Sequence, residues 1–344
     1  MSAPGVLARK AAALQALGFR RAVDPEERSE SVPVGGGRHK VTCVRPSMGT
    51  LVSVTGIHDS SDRVQTAAGL AFEEMDRIVA LLNRYDSDSA VSCLNHEGTI
   101  RGAPPELTKV LGRALSHHAA SGGAFDPTVQ PVVDFLRDGG EDGPALDHVV
   151  SLVGAERVRL DGRAVRFAEP GMGITLDGIA KGWVVDRMAD VLSAHGLGHF
   201  LINAGGDIRA RGAREDGEPW RVGVQDPAGR GRLPDVVALS GMAVATSGGY
   251  EIYFDAERTR HHIVTPRTGT SPQHMQSASV IAPTAADADA LATSLLVLEP
   301  GAGLSLIESL PGCACLLVDR DGRSLRSTRW RDALANSPSS AGSP

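Results

Sequence analysis

Aromatic side chains are scarce: Phe, Trp and Tyr together make 4% of the 344 residues. A core must therefore be filled by aliphatic side chains, and the 42% hydrophobic share is ample for a globular chain. Cysteine is almost as rare, with only Cys43, Cys93, Cys313 and Cys315 present. Cys313 and Cys315 alone are close, and a C-x-C pair is neither a zinc knuckle nor a redox C-x-x-C. All four read as free, buried thiols in a reducing compartment. Basic charge is not in excess: 35 Lys and Arg against 41 Asp and Glu give a formal net charge of −6, which argues against nucleic acid as the partner. Long apolar runs are absent too, and a membrane span needs roughly 18 such residues. The best N-terminal run, AAALQAL, is too short for a signal sequence, and no lipobox-like cysteine follows it. As written the chain reads as cytoplasmic; a start further upstream would make it exported.

Glycine and proline, by contrast, are plentiful at 40 and 20 residues, so tight turns are frequent. Residues 1–40 read as a partly disordered extension: a short basic helix over residues 6–17, then an acidic and Gly-rich linker. Residues 41–335 read as one domain without internal repeats, and 336–344 as a disordered tail. The domain opens with a strand pair over residues 40–57, bent at Met48-Gly49-Thr50. A helix over residues 62–82 follows from the helical spacing of Ala67, Leu70, Ala71, Met75, Ile78, Val79 and Leu82. A second helix spans 105–121 and stops at Gly122-Gly123. Residues 149–165 read as short strands and turns. A third helix runs over 174–196, with Asp177 as its N-cap and Gly196 after its end. The rest is strand-rich: HFLINAGGDIRARG, PWRVGVQDP, VVALSGMAVATSGGYEIYF, HHIVTPRTGTSP, SASVIAP, and a final hairpin turning at Arg320-Asp321-Gly322. Adjacent strands joined by hairpins favour an α+β fold with a mostly antiparallel sheet flanked by helices over a doubly wound parallel one.

The most informative stretch is residues 283–298. Thr284 and Asp287 stand in capping-box relation, so a helix begins at about Ala285, with Leu291, Leu295, Leu296 and Leu298 on its apolar face. Asp289 and Thr293 are four apart and share another face. They are two oxygen ligands for a hard cation; alternatively Asp289 complements the helix dipole and Thr293 fills a small gap. Gly178 and Gly182 each cost a helix about 1 kcal/mol against alanine, which points either to a group approaching the backbone or to tight packing on a sheet. GGAFDPTVQP (122–131) places Asp126 in a turn after a helix. ATSGGYE (245–251) offers hydroxyls and flexible backbone suited to phosphate oxygens. In HHIVTPRTG (261–269), His262 is either a base or a structural histidine.

Together and in order, these pieces resemble the ApbE family of FAD:protein FMN transferases. The matching stretches are MGT at Met48, RYDSDSAVSCLN (84–95), GGAFDPTV, LDGIAKGWVVD (176–186), INAGGDIRARG (202–212), ATSGGYE, HHIVTPRTG and DALATSLLVL (289–298), covering about residues 43–325. The resemblance implies an ApbE-like, T-fold-related domain that binds FAD and Mg²⁺ and transfers FMN to a threonine hydroxyl of an acceptor protein, releasing AMP. It implies metal ligation by Asp289, Thr293 and the Gly178 carbonyl, although oxygen ligands suit Mn²⁺ as well. It implies FAD contacts at Met48, Tyr85, Ala124, Phe125, Asp126, Thr175, Lys181 and Ile263, and a catalytic His262. Three positions depart from many relatives by losing a carboxylate: Thr175, Gly249 and Thr265. The family's acceptor motif, D-[ST]-G-x-x-[AS]-T, has no copy in this chain, so transfer is expected in trans. Two other readings are an Mg²⁺-dependent FAD pyrophosphatase and a non-catalytic flavin carrier.

Overall fold

Alternation builds the strands. The computed structural model describes residues 28–227, 235–250 and 252–334. Strand β1 (Arg28–Pro33) pairs with β2 (His39–Ser47), and β2 with β3 (Thr50–His58), all antiparallel. The β2–β3 turn is Met48-Gly49, at φ 50° and 74°. Two positive φ values make the tight turn whose twist matches a hairpin, and Met48 is an uncommon residue to hold one. The chain then forms α1 (Ser61–Leu82), α2 (Ala90–Glu97), β4 (Thr99–Arg101), α3 (Pro105–Ala120), α4 (Gln130–Arg137) and α5 (Pro144–Ser151). Next come β5 (Val158–Asp161), β6 (Ala164–Phe167), α6 (Ala180–Ala194), β7 (Phe200–Ala204), β8 (Asp207–Arg211), β9 (Trp220–Gly223) and β10 (Val236–Leu239). The last elements are β11 (Ala243–Gly248), β12 (Met275–Ala282), α7 (Ala285–Val297), α8 (Pro300–Ser309), β13 (Ala314–Asp319), β14 (Ser324–Arg326) and α9 (Thr328–Asp332).

Among the described residues the main sheet has nine strands in the order β1-β2-β3-β7-β8-β11-β12-β13-β14. Each neighbouring pair is antiparallel, so the α+β expectation is met. Period-two alternation divides its residues between two cores. Val52, Val54, Ile202, Ala245, Val280 and Leu317 face the helical side, against α1, α6 and α7. Ile208, Val244, Ile281 and Leu316 face the other side, where Trp220 and Trp330 fill the space under the small β9–β10 sheet and α9. Two of the three tryptophans thus lie where a thin layer must cover a broad face. A third cluster joins Val132, Val133 and Leu136 of α4 to Leu146 and Val264.

Helix α7 lies in the middle of the helical side. Thr284 caps it, its hydroxyl accepting from the Asp287 N–H at 3.1 Å. Leu291, Leu295 and Leu296 are buried as expected, and so are all the alanines from Ala285 to Ala292. Small residues let α6 approach closely: a Cβ on Gly182 would lie 2.2 Å from the Ala285 carbonyl oxygen. For Gly182, tight packing is therefore the sufficient explanation, against a helix rather than a sheet.

Several expectations are corrected. Part of the N-terminal extension is strand β1, all six residues of which are exposed. An edge strand is held by backbone pairing and carries no apolar signal. The third helix starts at Ala180, with Ile179 rather than Asp177 at its N-cap. Asn95 fixes the preceding chain by bonding both Ile174 N–H (2.7 Å) and Ile174 carbonyl (2.8 Å), and the Asp177 carboxylate turns instead to Arg84. Helix α5 occupies residues read as the start of the short strands. HHIVTPRTGTSP makes a single bridge, Tyr253 to His261, and then a turn in which Thr265 accepts from Thr268 and Gly269. Cys93 is exposed, while Cys43, Cys313 and Cys315 are buried; none of the four is in a disulfide. No helix among the described residues is long and apolar enough to cross a membrane. The helix expected over residues 6–17 and the tail at 336–344 lie outside the described residues.

Candidate active site

Antiparallel pairing brings the β2–β3 turn, the β7–β8 turn and the end of β11 to one end of the sheet. Val52 opposes Ala204, and Val244 opposes Ile208. A cleft opens there, walled by the turn after α3, residues 175–181, the end of β11, residues 262–266, and α7. Every expected site residue except Met48 and Tyr85 lines it: Ala124, Phe125, Asp126, Thr175, Gly178, Lys181, His262, Ile263, Asp289 and Thr293.

The turn after α3 is built by its own side chains. Gly122 and Gly123 take φ of 62° and 86° and end the helix. The Phe125 N–H donates to Ser121 Oγ at 2.9 Å. The Asp126 carboxylate accepts from the Thr128 N–H (2.7 Å) and Thr128 hydroxyl (2.5 Å), with the Ala155 N–H at 3.3 Å and His118 Nδ1 at 3.2 Å. Those contacts occupy the carboxylate with shaping the turn.

Helix α7 supplies the opposite wall. The Asp289 carboxylate is 5% exposed, and its Oδ2 accepts at 3.1 Å from the N–H of Gly182, a donor that the first turn of α6 leaves unpaired. Thr293 Oγ1 lies 3.3 Å from Ser247 Oγ. A Cβ on Gly178 would sit 3.0 Å from Thr293 Oγ1 and 3.2 Å from the Phe125 ring, so glycine keeps that corner open. A buried carboxylate, a hydroxyl and a nearby bare backbone form a hard-oxygen donor set that fits a small divalent cation. Among the described residues no group of three or more His, Cys, Asp or Glu side chains could hold a metal. A cation here would therefore depend on hydroxyl, carbonyl and substrate oxygens.

Charge in the cleft is arranged unevenly. Lys181 is the one lysine or arginine among its described lining residues. It stands in the first turn of α6, where the helix dipole disfavours a cation, and its Nζ is 3.5 Å from the buried Asp207 carboxylate. His262 Nδ1 lies 3.4 Å from the Ile252 carbonyl. A carbonyl only accepts, so in the neutral ring Nδ1 carries the proton and Nε2 is the basic nitrogen. His261, beside it, is 3% exposed, and burial pushes it down to about 4. It donates from Nε2 to the Pro272 carbonyl at 3.1 Å.

Tyr85 stays outside the cleft, 53% exposed, with its hydroxyl 2.7 Å from Arg84, whose guanidinium stacks on its ring at 4.4 Å. Arg84 is almost buried and joins Asp177 (2.7 Å), Asp134 (3.2 Å) and Gln130 (3.2 Å), tying Tyr85 to the cleft edge. Met48 is half-buried against the main core in its turn. The departures at 175, 249 and 265 separate. Thr175 lines the cleft and accepts from the Asp177 N–H at 3.2 Å. Gly249 leaves room for His261, whose Nε2 would be 2.8 Å from a Cβ there. Thr265 is not itself a lining residue, although Val264 and Pro266 on either side of it are. Arg84 and Asp207 escaped the sequence reading because their partners come from distant segments.

Comparison with known proteins accords with this arrangement. The ApbE family profile matches residues 48–317. A FAD:protein FMN transferase of Treponema pallidum is 33% identical over 289 residues, covering 76% of this chain and 79% of the relative. Another, of Haemophilus influenzae, is 31% identical over 298 residues, covering 80% and 85%. The crystal structure of an ApbE protein from Thermotoga maritima, 27% identical, superposes with a TM-score of 0.77 over 90% of this chain and 100% of that one. With the motifs at 122–129, 176–186, 245–251, 261–269 and 289–298 meeting on one cleft and the profile spanning most of the domain, the chain belongs to the ApbE family.

Proposed function

We propose that this protein transfers the FMN moiety of FAD to a threonine hydroxyl of an acceptor protein in trans, releasing AMP. The observation that carries this reading is the convergence of Asp289, Thr293, Gly178, Lys181 and His262 on one cleft. In the reaction, the threonine Oγ forms a bond to the FMN phosphorus, the pyrophosphate P–O bond breaks, and AMP leaves. His262 Nε2 takes the hydroxyl proton, held for that task by the Nδ1 contact with Ile252. Lys181 supplies positive charge to the pyrophosphate, and the hydroxyl of Ser247, which meets Thr293 at 3.3 Å, donates to its oxygens. Thr175 and the Ala124–Asp126 turn, with Ile263 opposite, shape the remainder of the FAD site, while Met48 and Tyr85 extend it beyond the cleft. Asp289, Thr293 and the Gly178 carbonyl would hold Mg²⁺, which when bound offsets phosphate charge and polarises the phosphorus.

The test is incubation of the purified protein with FAD, Mg²⁺ and a tagged domain bearing D-[ST]-G-x-x-[AS]-T, followed by intact mass and AMP assay. A gain of one FMN unit on the acceptor, lost in Asp289→Ala, is the expected result. AMP and free FMN with an unmodified acceptor would make the protein a pyrophosphatase; bound FAD without either product would make it a carrier.

A further inference from the structure

Behind the cleft, Asp287 of α7 has an environment that its role in the capping box does not explain. It is 8% exposed, and several donors converge on its carboxylate. Arg113 of α3 donates from Nε at 2.7 Å and closes a second, shorter bond from its terminal nitrogen. His117 of α3 places Nε2 at 2.8 Å, and the Thr284 hydroxyl donates at 2.6 Å. These contacts hold the carboxyl well below its ordinary range, against the opposing effect of burial. Because a carboxylate accepts, His117 Nε2 carries the proton.

Asp287 and Asp289 are two residues apart, about 200° around a helix of 3.6 residues per turn. They therefore point to nearly opposite sides of α7. The N–H groups of Ala285 and Ala286, both 2.9 Å from the Asp186 carboxylate, anchor the end of the helix. A lateral hold at Asp287 adds what an end anchor lacks, a fixed rotation about the axis. His117 also meets the Phe125 ring edge-on, with centroids 6.2 Å apart, and Phe125 abuts the Gly178 corner opposite Thr293. One imidazole thus bonds α7 through Asp287 and packs on the ring that borders the Gly178 corner.

We infer that His117, with Arg113, is a positioning residue that sets the rotation of α7 through Asp287 and thereby aims Asp289 and Thr293 at the divalent cation. This rests on the cation site proposed above. It concerns the hydrogen bond from His117, not a change in its charge.

The experiment compares His117→Leu, which keeps volume against Phe125 but removes the donor, with His117→Gln, whose amide nitrogen can replace Nε2. Mn²⁺ binding to the full-length protein is read by electron paramagnetic resonance, with FAD binding in EDTA read by flavin fluorescence. Expected is a weakening of Mn²⁺ binding by about tenfold in the leucine variant, the low end for a residue supporting a metal ligand. The glutamine variant should recover to within about threefold, and cation-free FAD binding should hold within about twofold in both. Unchanged Mn²⁺ affinity in the leucine variant, or equal loss in both variants, overturns the inference alone. Absence of Mn²⁺ binding by the unaltered protein overturns it together with the proposed cation site. If the leucine variant does not fold, Arg113→Met against Arg113→Lys makes the same comparison from the solvent side, with loss expected in the methionine variant and partial retention in the lysine variant.

Discussion

Single atoms decide much of this site. Gly178 is not in the left-handed region, so alanine can take its backbone conformation, yet the added methyl would crowd Thr293 Oγ1 at 3.0 Å. Gly178→Ala should therefore weaken Mn²⁺ binding and flavin transfer by tenfold or so while the melting temperature moves little. Gly182→Ala should act on stability: its methyl meets backbone of α7 at 2.2 Å, and the cost is about 3 kcal/mol, measurable by urea denaturation. His261 gives a pH prediction. Its folded value of about 4 lies below the ordinary 6.5, so the unfolded chain binds the proton first. Stability should be level in this respect above pH 6.5 and fall as pH drops from 6.5 to 4, by up to about 3 kcal/mol. His261→Gln should lose that dependence in urea midpoints across the window. That Asp289 and Thr293 share one face of a helix was legible in the sequence because four-residue spacing on a helix is local information. Arg84, His117 and Asp207 were not, since each acquires its meaning from a partner that only the fold supplies.

Elements repeat the lesson in another form. Helices α1, α3 and α7 end where capping and periodicity place their ends, and each begins within a residue or so of expectation. Thr284→Ala, which deletes both the cap on α7 and the hydroxyl contact to Asp287, should cost about 1 kcal/mol in denaturant titration. The start of α6 was misread because Asp177, an ideal capping residue by type, is claimed by a guanidinium from the α1–α2 connection. The 261–269 stretch looked like a strand from its composition, but it is tied to its neighbours only by the Tyr253–His261 bridge and a few bonds of His261 and His262, and Thr265 to Gly269 close a turn. Local preference proposes an element; a neighbouring backbone has to accept it.

At the scale of the molecule, the antiparallel order was inferable from hairpin-rich sequence, whereas the two-sided covering of the sheet was not. The second core depends on Trp220 and Trp330, more than a hundred residues apart, meeting under one face. The ends of the sheet carry a further consequence. One border is β14, three residues long; the other is β1, whose six residues are all exposed and include Arg28 and Glu30. A short margin and a charged margin are both poor templates for stacking one molecule's strands on another's. Removing residues 1–33 would lay bare β2, nine residues long, with Val41 and Cys43 on its inner face. Light scattering of that truncated protein should show concentration-dependent association that the full chain lacks; a monodisperse truncate would refute the idea. By that account β1, which contributes no buried side chain, earns its place as a bumper against fibrillar self-assembly.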